Sequence, residues 1–303
     1  GQPSMMASID GRQTALAIVS FPINRSCGLS QVSGKEMETM ISSQQGAAGT
    51  TPLHEKQGPS RYISTDAAED LGITNMFKDV HNFAYDAAFI FPLALLHLNS
   101  HGARGLLDIV RSGVLSLAFS ALAAKQDDMR AIAYEILAQA AYCLEEGKSS
   151  NETDRLPGSN ESRKTRLFRE APQIQALLVA FRNSVTSALM RVPGLISIFL
   201  AEAVCALQHP ECTMYPHVNA FVLRGTSLEI TSVPLFYQLY FSTSTNARQE
   251  RHWAVRLLLS GVRSPADTSL LRRTFILEVL MNGCQSSVFD GFTRRLMLKV
   301  ILK

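Results

Sequence analysis

The sequence predicts an all-α protein, an irregular α-solenoid of armadillo or HEAT type, with an irregular helical bundle as the alternative. Three observations carry this. Apolar residues recur at helical spacing through most of the chain after residue 65. Pro, Gly and small polar residues cut that pattern into roughly ten segments, each of about 10–20 residues. Strand-like runs such as Phe221-Val222-Leu223 are short and isolated. No strict sequence period is found, so the solenoid expectation rests on helix number and length.

Taken in order, residues 1–60 are rich in Ser, Gly, Gln and Thr and read as low-complexity, largely disordered chain. Within them Ala15-Leu16-Ala17-Ile18-Val19 is an apolar patch suited to a short strand or helix. Residues 61–303 read as a helical-repeat domain with a polar loop at 147–163. In 85–98 the chain is almost wholly apolar, with Pro92 a kink or a helix start. Segments 101–112 and 114–124 read as two helices broken at Ser112-Gly113. Segment 127–146 is the clearest helix: Met129, Ile132, Ala133, Ile136, Leu137, Ala140 and Leu144 share one face, Asp127 or Asp128 caps the start, and Gly147 ends it.

Helices resume at Pro172, where Ile174, Leu177, Leu178, Phe181 and Val185 form one stripe. Segment 194–207 is apolar on most faces and is expected to be a central buried helix. The stretch 209–253 reads as punctuation. His209-Pro210 stops a helix, and Met214-Tyr215-Pro216 and Val233-Pro234 start new ones. Pro loses no hydrogen bond in a first helical turn, because its N–H has no intrahelical partner there. Ser264-Pro265-Ala266-Asp267 has the form of a capping box. Leu270, Thr274, Leu277 and Met281 follow on one face, Gly283 stops that helix, and 290–302 is a last amphipathic helix.

The totals bound the function class. The chain has 303 residues, 46% of them hydrophobic, and a mean hydropathy of +0.07, so a sizeable core is expected. Net charge is +3, too little by itself to argue nucleic-acid binding. The five Cys are odd in number and scattered, which reads as reduced intracellular thiols. The first residues do not show the basic-then-apolar pattern of a signal peptide, and the longest apolar runs, 87–98 and 195–207, fall short of the roughly 20 residues that span a bilayer. A chain that begins at Gly1 and ends at Lys303 inside an apolar-periodic run reads as a piece of a longer protein.

Catalytic and cofactor motifs are not found. The nearest approach to a phosphate loop, Gly28 with Gly34-Lys35-Glu36, has the wrong spacing and carries Glu where a hydroxyl is required. No Gly-x-Ser-x-Gly elbow occurs. His81, His97 and His101 lie near Asp79, Asp86 and Asp108 as a helical chain scatters such pairs by chance. Cys205, His209, Cys212 and His217 are zinc-type residues, but their spacing matches no standard finger. They read as a buried thiol and ordinary loop histidines. The expectation is therefore no enzyme, no cofactor and no metal.

Basic charge is concentrated at the end of the chain. Residues 244–303 hold ten Arg and Lys against four Asp and Glu, a net +6, and the remainder carries about −3. Arg248, Arg251, Arg272, Arg273, Arg294 and Arg295 are the candidate contacts for an RNA backbone or another partner. Solvation of exposed helix faces and pairing with neighbouring acids is the competing reading.

Several spaced motifs resemble the C-terminal domain of the nucleolar pre-ribosomal-associated protein 1 (unhealthy-ribosome-biogenesis) family. They are His209-Pro210, Tyr215-Pro216-x-x-Asn219-x-Phe221-x-Leu223, Val233-Pro234-Leu235-Phe236, Phe241-Ser242-Thr243-Ser244, Gln249-Glu250-Arg251-x-Trp253 and Arg256-Leu257-Leu258-x-x-Gly261. Upstream, Phe168-Arg169-Glu170-x-Pro172-Gln173 and Asp127-x-Met129-Arg130-x-x-Ala133-Tyr134 stand in the same order. The likeness covers roughly 83–302, and Cys205 and Cys212 are not part of it. It implies a segment of a very large helical-repeat protein of the nucleus and nucleolus. It implies a non-enzymatic scaffold or assembly factor for ribosome biogenesis, acting in large-subunit precursor assembly and rRNA maturation. The implied partners are pre-ribosomal RNA, other large-subunit assembly factors and small nucleolar RNPs, with no membrane. The alternative is a protein-only interaction solenoid without RNA contact.

Overall fold

The structure, a computed structural model, describes residues 6, 9–21, 23–24, 85–152 and 168–303, without the side chains of 147–152. These belong to one compact unit, Gly1–Gly28 with Ala84–Lys303. The second unit, Leu29–Phe83, lies outside the described residues, as do the readings made for it. Among the described residues all regular structure is helical, as the sequence predicts. In chain order the helices are α1 (Gly11–Val19), α2 (Ala87–Arg111), α3 (Val114–Ala121), α4 (Asp127–Glu152), α5 (Ala171–Arg182), α6 (Gly194–Gln208), α7 (Tyr215–Arg224), α8 (Phe236–Tyr240), α9 (Ala247–Gly261), α10 (Pro265–Arg273), α11 (Ile276–Gln285) and α12 (Gly291–Ile301). No described helix is long and apolar enough to cross a membrane.

Packing passes from helix to helix. α4 lies against α2 and α3, α3 against α6, α6 against α9, α9 against α12, and α12 against α11. The expected face of α4 is the one that is buried: Met129, Ile132, Ala133, Ile136, Leu137, Ala140 and Leu144 all lie in the core. α6 is the expected central helix, enclosed by α3 and α9 with Leu195, Ile196, Phe199, Leu200, Val204 and Leu207 buried. Burying such side chains contributes about 1.5–3 kcal/mol each. Two motif residues on α4 tie it to the chain before α6. Arg130 donates from Nε to the Leu189 carbonyl at 2.9 Å, and the Tyr134 hydroxyl donates to the Met190 carbonyl at 2.8 Å.

The α6–α9 crossing depends on two glycines. A Cβ on Gly194 would stand 2.5 Å from the Gly261 carbonyl oxygen, and a Cβ on Gly261 would stand 2.8 Å from the Leu195 Cα. Asp267 closes the crossing from α10. Its carboxylate accepts from the Leu195 N–H at 3.3 Å, the Arg263 N–H at 3.1 Å and the Ser264 hydroxyl at 2.7 Å. Thus the capping-box residues are present but rearranged: Ser264 donates to Asp267 and makes no side-chain cap bond to the helix.

The apolar patch at 15–19 lies in a docked helix, α1, capped by Asp10 and packed on α3 and α6 through Ala17 and Ile18. Four other elements differ from their expectation. α2 spans both expected segments with Pro92 inside it, and the break falls at Gly102 (φ 53°, ψ −129°), a conformation open to glycine. His97 and Asp108, 3.1 Å apart, join the two arms of that kink. α4 runs through Gly147 to Glu152, so the polar loop starts later than residue 147, and 153–167 lies outside the described residues. The helix after Ser264 is two helices, divided at Phe275, which has φ 55°. Gly283 is inside α11 and does not end it. A Cβ there would lie 2.1 Å from the Tyr240 hydroxyl, so this glycine admits a neighbour's side chain.

Candidate interface of basic and aromatic side chains

The six candidate arginines divide by what their guanidinium groups touch. Arg251 is internal to the fold. It donates to the carbonyls of Tyr240 at 3.1 Å and Ser242 at 2.8 Å, and lies 5.4 Å from the Phe289 ring centroid. It satisfies carbonyls left open at the end of α8. Arg248 is exposed but pairs at 3.1 Å with Asp290, the carboxylate that also caps α12 through the Thr293 N–H at 2.8 Å. Arg294 is partly buried, with Nε enclosed and unbonded. Arg295 is exposed and reaches back to the Gly291 carbonyl at 3.4 Å. Arg272 and Arg273 are exposed in the last turn of α10, and among the described residues neither has a hydrogen-bond or ion-pair partner. The six therefore differ in what they already engage.

Other basic residues of the C-terminal excess are also engaged internally. Arg263 donates to the carbonyls of Ile18 at 2.8 Å and Val19 at 2.9 Å, closing the end of α1, and burial pulls its pKa down to about 10 against the pull of Asp267. Arg256 lies among protein atoms, though part of its side chain stays exposed. Burial lowers its pKa, and nearby Glu202 opposes that shift. Glu202 is pushed above the usual carboxylate range by burial, against Arg256 and the Trp253 side chain that hydrogen-bonds it. The Lys303 ammonium donates to the Leu259 carbonyl at 2.6 Å.

Three of the zinc-type residues make side-chain contacts. Cys205 lies 3.4 Å from the Ser116 hydroxyl, and burial pushes its thiol up to about 12. His209 bonds the Cys205 carbonyl at 2.9 Å, and His217 bonds Glu250 at 3.1 Å. Among the described residues no three His, Cys, Asp or Glu side chains converge as a metal site. Each His–carboxylate pair joins structural parts: His97–Asp108 spans the α2 kink, His217–Glu250 joins α7 to α9, and His252–Asp290 joins α9 to the α12 cap at 3.3 Å.

A further feature escaped the sequence reading. α8 is a short helix whose rings continue one another. Tyr237 and Phe241 are stacked at 6.3 Å with an interplanar angle of 6°, and Tyr240 packs edge-on to Phe241 at 5.1 Å. Tyr240 and Phe236 are buried, whereas Tyr237 is 42% exposed and Phe241 61%. The Tyr237 hydroxyl donates to the Thr274 carbonyl, which fixes α8 against the turn between α10 and α11. That turn carries Phe275, which is 67% exposed, and directly follows Arg272 and Arg273 at the end of α10.

Both sides of this junction take left-handed backbone at residues with large side chains, Leu235 at φ 60° and Phe275 at φ 55°. Such a position costs roughly 1–3 kcal/mol and persists only where its surroundings enforce it. A cleft of about 400 Å³ opens beside it, lined by Ser232, Val233, Pro234, Leu235, Tyr237 and Thr274. One signal was available in the sequence: Phe275 falls off the 270, 274, 277, 281 face and follows two arginines.

Comparison with known proteins gives one family. The sequence model of the family described as Nucleolar pre-ribosomal-associated protein 1 matches residues 115–303. The chain is similar to mouse Nucleolar pre-ribosomal-associated protein 1, 27% identical over 241 residues, covering 77% of this chain and 10% of that protein. It is similar to the human protein of the same name, 28% identical over 190 residues, covering 63% of this chain and 8% of that protein. The chain thus spans about a tenth of the length of these relatives. No solved structure gives a significant match.

Proposed function

The chain belongs to the nucleolar pre-ribosomal-associated protein 1 family, and from that premise we propose that it is a non-enzymatic scaffold segment in ribosome biogenesis, working in the nucleus and nucleolus. Its proposed place is the assembly of large-subunit precursors and the maturation of their rRNA. The proposed partners are pre-ribosomal RNA and other large-subunit assembly factors, with small nucleolar RNPs nearby. The names of the mouse and human relatives, nucleolar and pre-ribosomal-associated, carry this reading. We take the helix-on-helix packing from α4 to α11 as support for an irregular solenoid, the architecture that offers extended binding faces without a catalytic cleft. The structural engagement of the His–carboxylate pairs supports a non-catalytic role.

Within the charged surface, Arg272 and Arg273, without a partner among the described residues, are the proposed phosphate contacts, and Arg295 follows them. Arg251 is withdrawn from that role by its bonds to Tyr240 and Ser242. A protein-only reading has one observation in its favour. An apolar groove of about 240 Å³ lies between α4 and α5, lined by Tyr134, Leu137, Leu178 and Phe181 and rimmed by the Arg182–Glu145 pair at 3.8 Å.

The test is crosslinking of the tagged full-length protein in cells with sequencing of attached RNA, beside a variant carrying R272E, R273E and R295E. Crosslinks to precursor rRNA that weaken in the variant are expected. Ribosomal crosslinks that ignore it would make this segment a protein-docking element, and absence of ribosomal RNA would sink the assembly reading.

A further inference from the structure

The surface where α8 meets the α10–α11 turn combines three features that packing does not explain. Phe275 occupies costly left-handed backbone, yet its ring is 67% exposed and gains little burial in return. Phe241 stacks parallel on Tyr237 and leaves its own ring 61% exposed. Arg272 and Arg273 precede Phe275 without a partner among the described residues. The arginines offset the dipole at the end of α10, but that accounts for neither ring.

From this junction we infer that Tyr237, Phe241 and Phe275 form a stacking platform for unpaired bases of a polynucleotide, with Arg272 and Arg273 on its phosphates. The choice of RNA as the polynucleotide rests on the function proposed above. A flat ring open to solvent is complementary to an exposed base face, and stacking is tolerant of sequence because every base has such a face. Bases within a duplex have both faces covered by neighbours, so the platform selects single strands. Positive charge beside the rings supplies the complement to the backbone. Glu278 lies close enough to Tyr237 to raise its hydroxyl pKa, after burial. That negative charge directs phosphates away from α11 and toward the arginine side of the turn. The rings read base faces and not sugars, so single-stranded DNA of the same sequence binds within a few-fold of RNA.

The experiment uses the full 303-residue chain and fluorescence anisotropy with oligouridine, the matching oligodeoxynucleotide and a fully paired RNA hairpin. The variants are F241S/F275G and, separately, R272E/R273E. F275N with F241S serves as a second aromatic pair, because Asn tolerates left-handed backbone. Thermal melting confirms that each remains folded. The aromatic pairs are expected to lower oligouridine affinity by about tenfold or more, with hairpin affinity and salt dependence unchanged. The arginine pair is expected to flatten the salt dependence by about 1–2 in slope.

Oligouridine binding that ignores both aromatic pairs but weakens in R272E/R273E would overturn the platform and leave the proposed RNA contact standing. No binding of any single strand would overturn both. Loss of co-purifying assembly proteins in the aromatic pairs, at unchanged oligouridine affinity, would make the surface a protein-docking face and overturn the inference.

Discussion

Where α6 crosses α9, two glycines let the backbones meet, and the buried carboxylate of Asp267 takes three donors. Where α8 meets the α10–α11 turn, Leu235 and Phe275 stand in backbone that suits glycine, and large rings face solvent. The first site uses small residues where space is absent. The second uses large residues where no core requires them. The contrast separates a position selected by packing from one that packing within the described residues does not account for.

The crossing is the place to break the fold. Asp267→Ala is expected to have the largest effect, on the order of 3–5 kcal/mol, because it leaves the N–H groups of Leu195 and Arg263 and the Ser264 hydroxyl without their acceptor and removes the negative charge near the Arg263 guanidinium. Denaturant unfolding measures this, and a loss under about 1 kcal/mol would show that water replaces the carboxylate. Trp253→Ala follows at about 3 kcal/mol, the low end for a large aromatic, since the ring is only half-buried. It removes the edge-to-face contact with Phe199 at 6.4 Å and the hydrogen bond to Glu202. A variant melting like the parent would show that neither contact stabilises α6 against α9. Gly261→Ala is expected to cost about 1–3 kcal/mol by forcing α6 and α9 apart. An unchanged melting temperature would mean that the crossing is looser than the 2.8 Å approach implies.

Acid should act on the α9 contacts and spare the α8 junction. Burial lowers the pKa of His252 despite Asp290, so its contribution is present above the ordinary His value and is lost as pH falls through the depressed folded value. Burial alone would raise the carboxyls of Glu250 and Asp290. Bonds from Ser242, Ser244 and His217 to Glu250, and from Thr293 with His252 and Arg248 to Asp290, outweigh it and leave both low. Their contributions persist above the ordinary carboxylate values and are lost as pH falls through the folded ones. Melting temperature is thus expected to decline first below about pH 6.5 and again below about pH 4. His252→Gln should remove the first decline only, and a profile flat from neutrality to pH 5 would refute the sign assigned to His252.

The smallest effect is expected from Phe275→Gly. Relief of left-handed strain nearly cancels the entropy of the new glycine, so stability should change by no more than about 1 kcal/mol. A larger loss would mean that the ring supports α10 and α11, and the contrast with the crossing would fail.

Much of the frame was legible in the residues. The α4 face, the α5 stripe and the buried α6 follow from spacing alone, because a helix presents residues three and four apart to the same side. Gly261 stands in a motif visible in the sequence, but its close approach to Leu195 is not, since the partner lies 66 positions away in sequence. The break at Phe275 was missed because no Gly or Pro marks it. Gly147 and Gly283 were misread as stops because glycine is tolerated inside a helix that tertiary contacts hold.

The sequence by itself determined the helical class, most helix positions, the family and the surplus of positive charge near the end of the chain. Which arginines remain available was decided only by the tertiary structure. Arg263 reaches the carbonyls of Ile18 and Val19, 245 and 244 residues away, while Arg272 and Arg273 stay outside. The reason is physical. Helical periodicity is a local property of the chain, but a guanidinium bonds whichever carbonyl the fold brings within about 3 Å, and no local pattern encodes that distance.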